Sequence, residues 1–197
     1  MEEKLLNLIE SRGLVRTCEV VKAGIPRVYL SRLIKKGRIV RVSRGVYELA
    51  SPLEISEHHS LAEVASVIPG GVICVLSALA FHNIGTQIPE CVWVAIANKR
   101  RSPQLSYPPV RIVKMSPKFL ETGIETNTID GVEVSITTPP RSVADCFKFR
   151  NDVGLDVAIE ALRDGLKKKQ FSRNEFAIQA QSIRIWNVVR PYLESIQ

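Results

Sequence analysis

Histidine and cysteine, the residues most often recruited for metal binding and nucleophilic chemistry, are scarce in this 197-residue chain, at three and four copies. Cys18, Cys74, Cys91 and Cys146 lie far apart, with no Cys-x-x-Cys pair to pinch a zinc ion, so buried free thiols are expected. His58 and His59 are adjacent and His82 stands alone behind an apolar run. Only Glu54 and Glu57 stand near the pair, too few ligands for a metal site, and no metal is expected. A phosphate loop is missing as well: Pro69-Gly70-Gly71 is followed by neither Lys-Ser nor Lys-Thr. There is no Gly-x-Ser-x-Gly elbow. A magnesium nuclease of the restriction type carries an Asp and then Glu-x-Lys on the next strand, whereas the segment Val92 to Ile96 offers no carboxylate before Lys99. Asp130, Asp145 and Asp156 are acids without visible partners, and Asp145, inside the helical run Ser142 to Phe147, reads as a buried cap or ion-pair partner. The expectation is therefore a protein without enzymatic activity or cofactor.

Long apolar runs are lacking too. The longest, Val72 to Phe81, is about half of the roughly 20 residues that cross a bilayer. The opening Met1-Glu2-Glu3-Lys4 has no basic region followed by an apolar core, so no secretory signal is expected and the cytoplasm is the default location.

The last shortage is of acid. Against 27 Lys and Arg stand 20 Asp and Glu, a net charge of +7. Residues 1–50 hold eleven basic and five acidic side chains and so carry +6 of it, which leaves +1 for the other 147 residues. Such segregation points to a small basic module, facing a polyanion, joined to a nearly neutral domain.

Periodicity says what kind of module this is. Leu5, Leu6, Leu8 and Ile9 form an apolar stripe at helical spacing, ended by Arg12-Gly13. Thr17 reads as the N-cap of a short helix through Val20, Val21 and Ala23 that Gly24 closes. Pro26 opens a third helix that runs to Lys36 and stops at Gly37. Then the period changes: Val40, Val42, Val46 and Tyr47 are strand formers around the turn Ser43-Arg44-Gly45, a β-hairpin. Three helices and a hairpin is the order of a winged helix-turn-helix, in which the third helix enters the DNA major groove. On that helix Leu30, Leu33 and Ile34 should pack inward, with Val28, Ser31, Arg32, Lys35 and Lys36 facing out and Arg27 and Tyr29 on the flanks. Arg27, Val28, Ser31 and Arg32 are the expected base-edge group, Lys35 and Lys36 the expected phosphate contacts. Arg41 and Arg44 on the wing would reach the flanking backbone or minor groove.

From Ser51-Pro52 onward the character shifts, and the domains are expected at 1–52 and 53–197. The second reads as helices Ile55 to Ile68 and Val72 to His82, then strands Val92 to Ile96, Val110 to Met115 and Val132 to Thr137, with a basic loop at Lys99-Arg100-Arg101. Helices follow at Pro140 to Phe149, Asp156 to Lys169, Ser172 to Ser182 and Trp186 to Ile196, the third opened by a Ser172/Glu175 capping box. The expected fold is α+β: an N-terminal winged helix-turn-helix, then a larger mixed domain with a small sheet and a helical tail.

Gly24-Ile25 through Leu33-Ile34-Lys35-Lys36-Gly37, followed by Val40-Arg41-Val42-Ser43-Arg44-Gly45-Val46-Tyr47, resembles the N-terminal winged-helix domain of AbiEi-type antitoxins. Val72 to His82, Ile88-Pro89-Glu90, Val92 to Ile96 and Pro139 to Asp145 are similar to segments in the rest of that family. The resemblance implies the antitoxin half of a type IV toxin–antitoxin pair associated with phage defence. It implies a winged helix that represses the shared operon by binding inverted repeats in double-stranded DNA, and a C-terminal domain that counters a nucleotidyltransferase-like toxin, with or without direct contact. Operator contact then falls on Arg27, Ser31, Arg32, Lys35, Arg41 and Arg44, with further DNA contact at Lys99, Arg100 and Arg101. The rival readings are a nuclease steered by its winged helix, a solitary regulator, and an adaptor that docks proteins on the winged helix.

Overall fold

The computed structural model describes residues 1–50, 56–103, 105 and 107–196, a mixed α+β chain with two sheets. It divides into two compact units, one of residues 1–70, 103–108 and 127–134, the other of 71–102, 109–126 and 135–197. The domain boundary expected at 52/53 lies outside the described residues.

The first unit opens with α1 (Glu2–Arg12), β1 (Val15–Arg16), α2 (Thr17–Lys22), α3 (Val28–Lys35), β2 (Ile39–Ser43) and β3 (Val46–Leu49). Leu5 and Ile9 of α1, Val20 of α2, and Leu30 and Leu33 of α3 meet Val15, Ile25 and Ile39 in one small core. The two-residue strand β1 adds to the hairpin, giving an antiparallel sheet in the order β1-β3-β2 with Val15 opposite Tyr47. Helix α4 (His59–Val67) follows, so the helix expected from Ile55 begins at His59 among the described residues.

The second unit contains β4 (Val72–Ile73), α5 (Val75–Phe81), β5 (Val92–Ala97), β6 (Val110–Met115) and a 3-10 turn at Pro117–Leu120. After them come β7 (Ile124–Ile129) and β8 (Val132–Thr137), whose outer half, 127–134, counts with the first unit. The sheet order is β6-β5-β4-β8-β7, with β5 parallel to β6, and β4 antiparallel to β5 but parallel to β8. Val92 to Ile96 of β5 are all buried, the near-continuous apolar pattern of a strand covered on both faces. The chain ends in α6 (Pro139–Lys148), α7 (Arg150–Val153), α8 (Leu155–Lys167), α9 (Arg173–Ser182) and α10 (Trp186–Ser195). Val143 and Phe147 of α6, Leu162 of α8 and Phe176 of α9 anchor the core of this unit.

The run Val72 to His82 is not one helix. Its β-branched start forms β4, Cys74 is fully extended, and the helix begins only at Val75. Strand β7, unmarked in the sequence, precedes the expected strand at 132–137. Cys74 and Cys146 are fully buried, and burial pushes both thiols well above their ordinary range. Cys18, expected to be buried, is instead exposed, because it sits on the outer side of the short α2. None of the described helices is long and apolar enough to cross a membrane.

Candidate nucleic-acid interface

Two like-built turns set the position of α3. Helix α2 closes at Gly24, whose N–H donates to Val21 O while the N–H of Ile25 donates to Val20 O. At the end of α3, Gly37 donates to Ile34 O and Arg38 to Leu33 O. Both are Schellman closures on a left-handed glycine, with φ of 74° at Gly24 and 64° at Gly37. Ile25, 1 % exposed, pins the turn between the helices into the small core. The start of α2 differs from expectation. Arg16, not Thr17, is the N-cap, and its N–H donates to Glu19 Oε2 at 2.7 Å. Thr17 turns away: its N–H and its hydroxyl both donate to Gly45 O, at 2.8 and 3.2 Å, and so tie the hairpin turn to α2.

Leu30 and Leu33 are buried as expected, but Ile34 is 39 % exposed, at the edge of the packed stripe. Arg27, Val28, Ser31, Arg32, Lys35 and Lys36 are all exposed, as are Arg41 and Arg44 on the hairpin. The Arg32 guanidinium lies over the Tyr29 ring, 5.3 Å from its centroid, so the flanking aromatic holds the arginine out along the free face. Lys36 is engaged: its Nζ is 2.6 Å from Glu2 Oε2, and that hydrogen bond holds the Glu2 carboxyl below its usual range. Arg41 donates from Nε to Ser43 O at 3.1 Å, next to a register shift between Arg41 and Ser43 that bends the edge of the hairpin. Arg38, exposed just past the end of α3, is a cation that residue patterning assigns to no face. Its one signal in the sequence is its share in the charge count.

Lys99, Arg100 and Arg101 belong to the second unit. Lys99 and Arg101 are exposed and Arg100 is half-buried, its carbonyl accepting from Lys114 Nζ. A further basic groove in the same unit is lined by Arg163, Lys167, Lys169 and Arg173. Composition does not reveal it, because a near-zero average over 147 residues hides a local cluster.

Asp145, the acid closest to a catalytic role in the sequence, is a structural ion-pair partner. Its Oδ1 accepts from Arg141 Nε at 3.0 Å, and both side chains are 0 % exposed. Arg141 also donates to the Thr122 carbonyl and points Nη2 at Met115 Sδ, while Asp145 Oδ2 has no hydrogen-bond partner among the described residues. Burial pushes the Asp145 carboxyl up to about 6, against the pull of Arg141.

A helix pair joined by a tight glycine turn, with the second helix basic on its free face and backed by a small antiparallel sheet, is a build used by DNA-contacting regulators. Residues 3–50 match the family described as transcriptional regulator, AbiEi antitoxin. That stretch takes in nearly all of the small basic module, from the second residue of α1 through β3. No curated protein matches the chain.

Proposed function

We propose that the protein is a DNA-binding repressor and antitoxin of a type IV toxin–antitoxin pair. Residues 1–52 act as a winged helix-turn-helix and 53–197 as the AbiEi-like antitoxin domain. The observation that carries the reading is the face of α3: seven positions from Arg27 to Lys36 are exposed, four of them cationic, on the module that matches AbiEi regulators. In this reading α3 lies in the major groove, with Arg27, Val28, Ser31 and Arg32 toward base edges. Lys35 and Lys36 meet phosphates and the β2–β3 hairpin, with Arg41 and Arg44, is the wing. Lys99, Arg100 and Arg101 add backbone contact. The DNA is an operator of inverted repeats in the protein's own promoter, in the cytoplasm, and repression and antitoxicity together serve phage defence. The toxin partner is a nucleotidyltransferase-like protein.

Footprinting on the DNA upstream of the gene, with and without Arg27→Ala/Arg32→Ala, tests the operator part. Protection of repeated half-sites that the double variant loses supports it; no protected site contradicts it. Growth rescue on co-expression with a nucleotidyltransferase-like reading frame, should one lie beside the gene, tests the antitoxin part.

A further inference from the structure

One histidine in the first unit is surrounded by acid. His59, at the start of α4, has Nδ1 2.7 Å from Asp130 Oδ2 and Nε2 3.2 Å from Glu48 Oε2. Glu63, one turn along α4, lies 3.8 Å from Nε2. The three carboxylates come from three segments: Glu48 from β3, Glu63 from α4, and Asp130 from the tip of the β7–β8 hairpin. All four residues belong to the first unit, and each side chain is about a fifth exposed or less.

A neutral imidazole has one N–H and one lone pair, and a lone pair aimed at a carboxylate is repelled. With a carboxyl oxygen close to each ring nitrogen, only the imidazolium, which has a proton on both, can donate to both sides at once. The charge count agrees, since one imidazolium faces three carboxyls and its loss leaves them facing one another. Burial already pushes Glu48 and Glu63 above the usual carboxylate range, with His59 pulling each back. Among the described residues, no lysine or arginine is one of the groups acting on either glutamate.

The hairpin tip is otherwise held by close backbone approach. A Cβ on Gly131 would lie 2.2 Å from Arg12 O, and one on Gly13 would lie 2.0 Å from Asp130 O. Van der Waals contact of this kind has no pH dependence, so any change of hold with pH falls to the His59 cluster.

We propose that His59 is a proton-operated latch: protonated, its imidazolium donates to both sides and ties the hairpin tip at Asp130 to Glu48 of β3 beside Glu63 of α4, and loss of one proton leaves a single N–H for two carboxylates and breaks that tie. Because β3 is one arm of the hairpin that carries Arg44, the latch also reaches that hairpin, at Glu48. The latch is independent of the DNA-binding reading, and its test needs no DNA.

The test is hydrogen–deuterium exchange of the full chain, comparing about pH 5.5 with about pH 8, across the range where histidines change charge. After correction for intrinsic exchange, protection of peptides covering 127–134 falls about tenfold at the higher pH, the size of one charge-assisted hydrogen bond, while 139–148 in α6 holds constant. His59→Gln gives low protection of 127–134 at both pH values. Equal protection of the wild type at both pH values overturns the proposal, and so does a wild-type-like pH drop in His59→Gln. If His59→Gln fails to fold, Asp130→Asn carries the test: it must lower protection at the acid pH toward the wild-type level at the alkaline pH, and full protection there overturns the latch.

Discussion

Arg32 and Tyr29 share one turn of α3, and the ring under the guanidinium limits the directions in which Arg32 can point. If Arg32 pairs with a base edge, Arg32→Ala weakens specific DNA binding by about 1–3 kcal/mol while non-specific affinity falls much less. Fluorescence anisotropy with operator and scrambled duplexes measures the difference; equal losses on both would reassign Arg32 to the phosphates. The other residue-scale prediction concerns Arg141 and Asp145. The folded state raises the Asp145 carboxyl to about 6, whereas an unfolded aspartate titrates near 3.9. The fold thus binds a proton more tightly there than the unfolded chain does, and this residue's contribution to stability is full below about pH 4 and lost as pH rises through about 6. Arg141→Met leaves a buried carboxylate without its counter-ion and should cost about 3–5 kcal/mol at neutral pH, less at about pH 4.5, where Asp145 is protonated. Adding Asp145→Leu should recover most of the loss. Urea midpoints at the two pH values check all three expectations, and a loss independent of pH contradicts the account.

At the scale of elements, the tip of the β7–β8 hairpin is a tightly constrained turn. Gly131, at φ 74°, has no room for a Cβ beside Arg12 O, whereas Gly24, also at φ 74°, has nothing within 4 Å. Gly24→Ala should therefore cost only the left-handed backbone penalty of about 1–2 kcal/mol, and Gly131→Ala that penalty plus a backbone displacement of about 1–3 kcal/mol more. Thermal unfolding of the two variants compares them directly. The elements differ in how well the sequence announces them. Gly24, Pro26 and Gly37 punctuate the first 37 residues so clearly that three helices are legible, as is the capping box at Ser172, whose hydroxyl accepts from Glu175 N at 3.2 Å. Strand β1 is two residues long and carries no period. Strand β7, Ile-Glu-Thr-Asn-Thr-Ile, is at the edge of its sheet and shows only Ile129 buried, so little alternation marks it. The junction of β4 and α5 is hidden for the opposite reason. Val72 to Ala80 is apolar at every position but Ser77, and a run with so few polar positions does not distinguish a strand from a helix.

For the whole molecule, charge segregation along the chain is what points to α3 and the hairpin as the candidate interface. Every side chain expected on the free face of α3 and on the hairpin is exposed. What a charge count does not reveal is how cations are already engaged: Lys36 by Glu2, Arg16 by the carbonyl of Ala65, Arg12 by Glu19. Nor does it reveal the acid ring around His59, whose members are up to 82 positions apart in sequence (Glu48 to Asp130). The central claim is that the basic module grips duplex DNA through its phosphates. Lys35, Lys36, Arg41 and Arg44 as four phosphate contacts contribute about −3.6 per bound chain to the slope of the logarithm of affinity against the logarithm of salt, at least about a 150-fold loss between roughly 50 and 200 mM, and any contact from 99–101 steepens it. A titration of the purified protein on the DNA upstream of its gene, repeated across that salt range, measures this slope. A slope of this size that becomes shallower by about one unit for each of the four cations removed is the predicted result. An affinity that stays flat with salt would contradict the assignment of α3 and the hairpin to DNA.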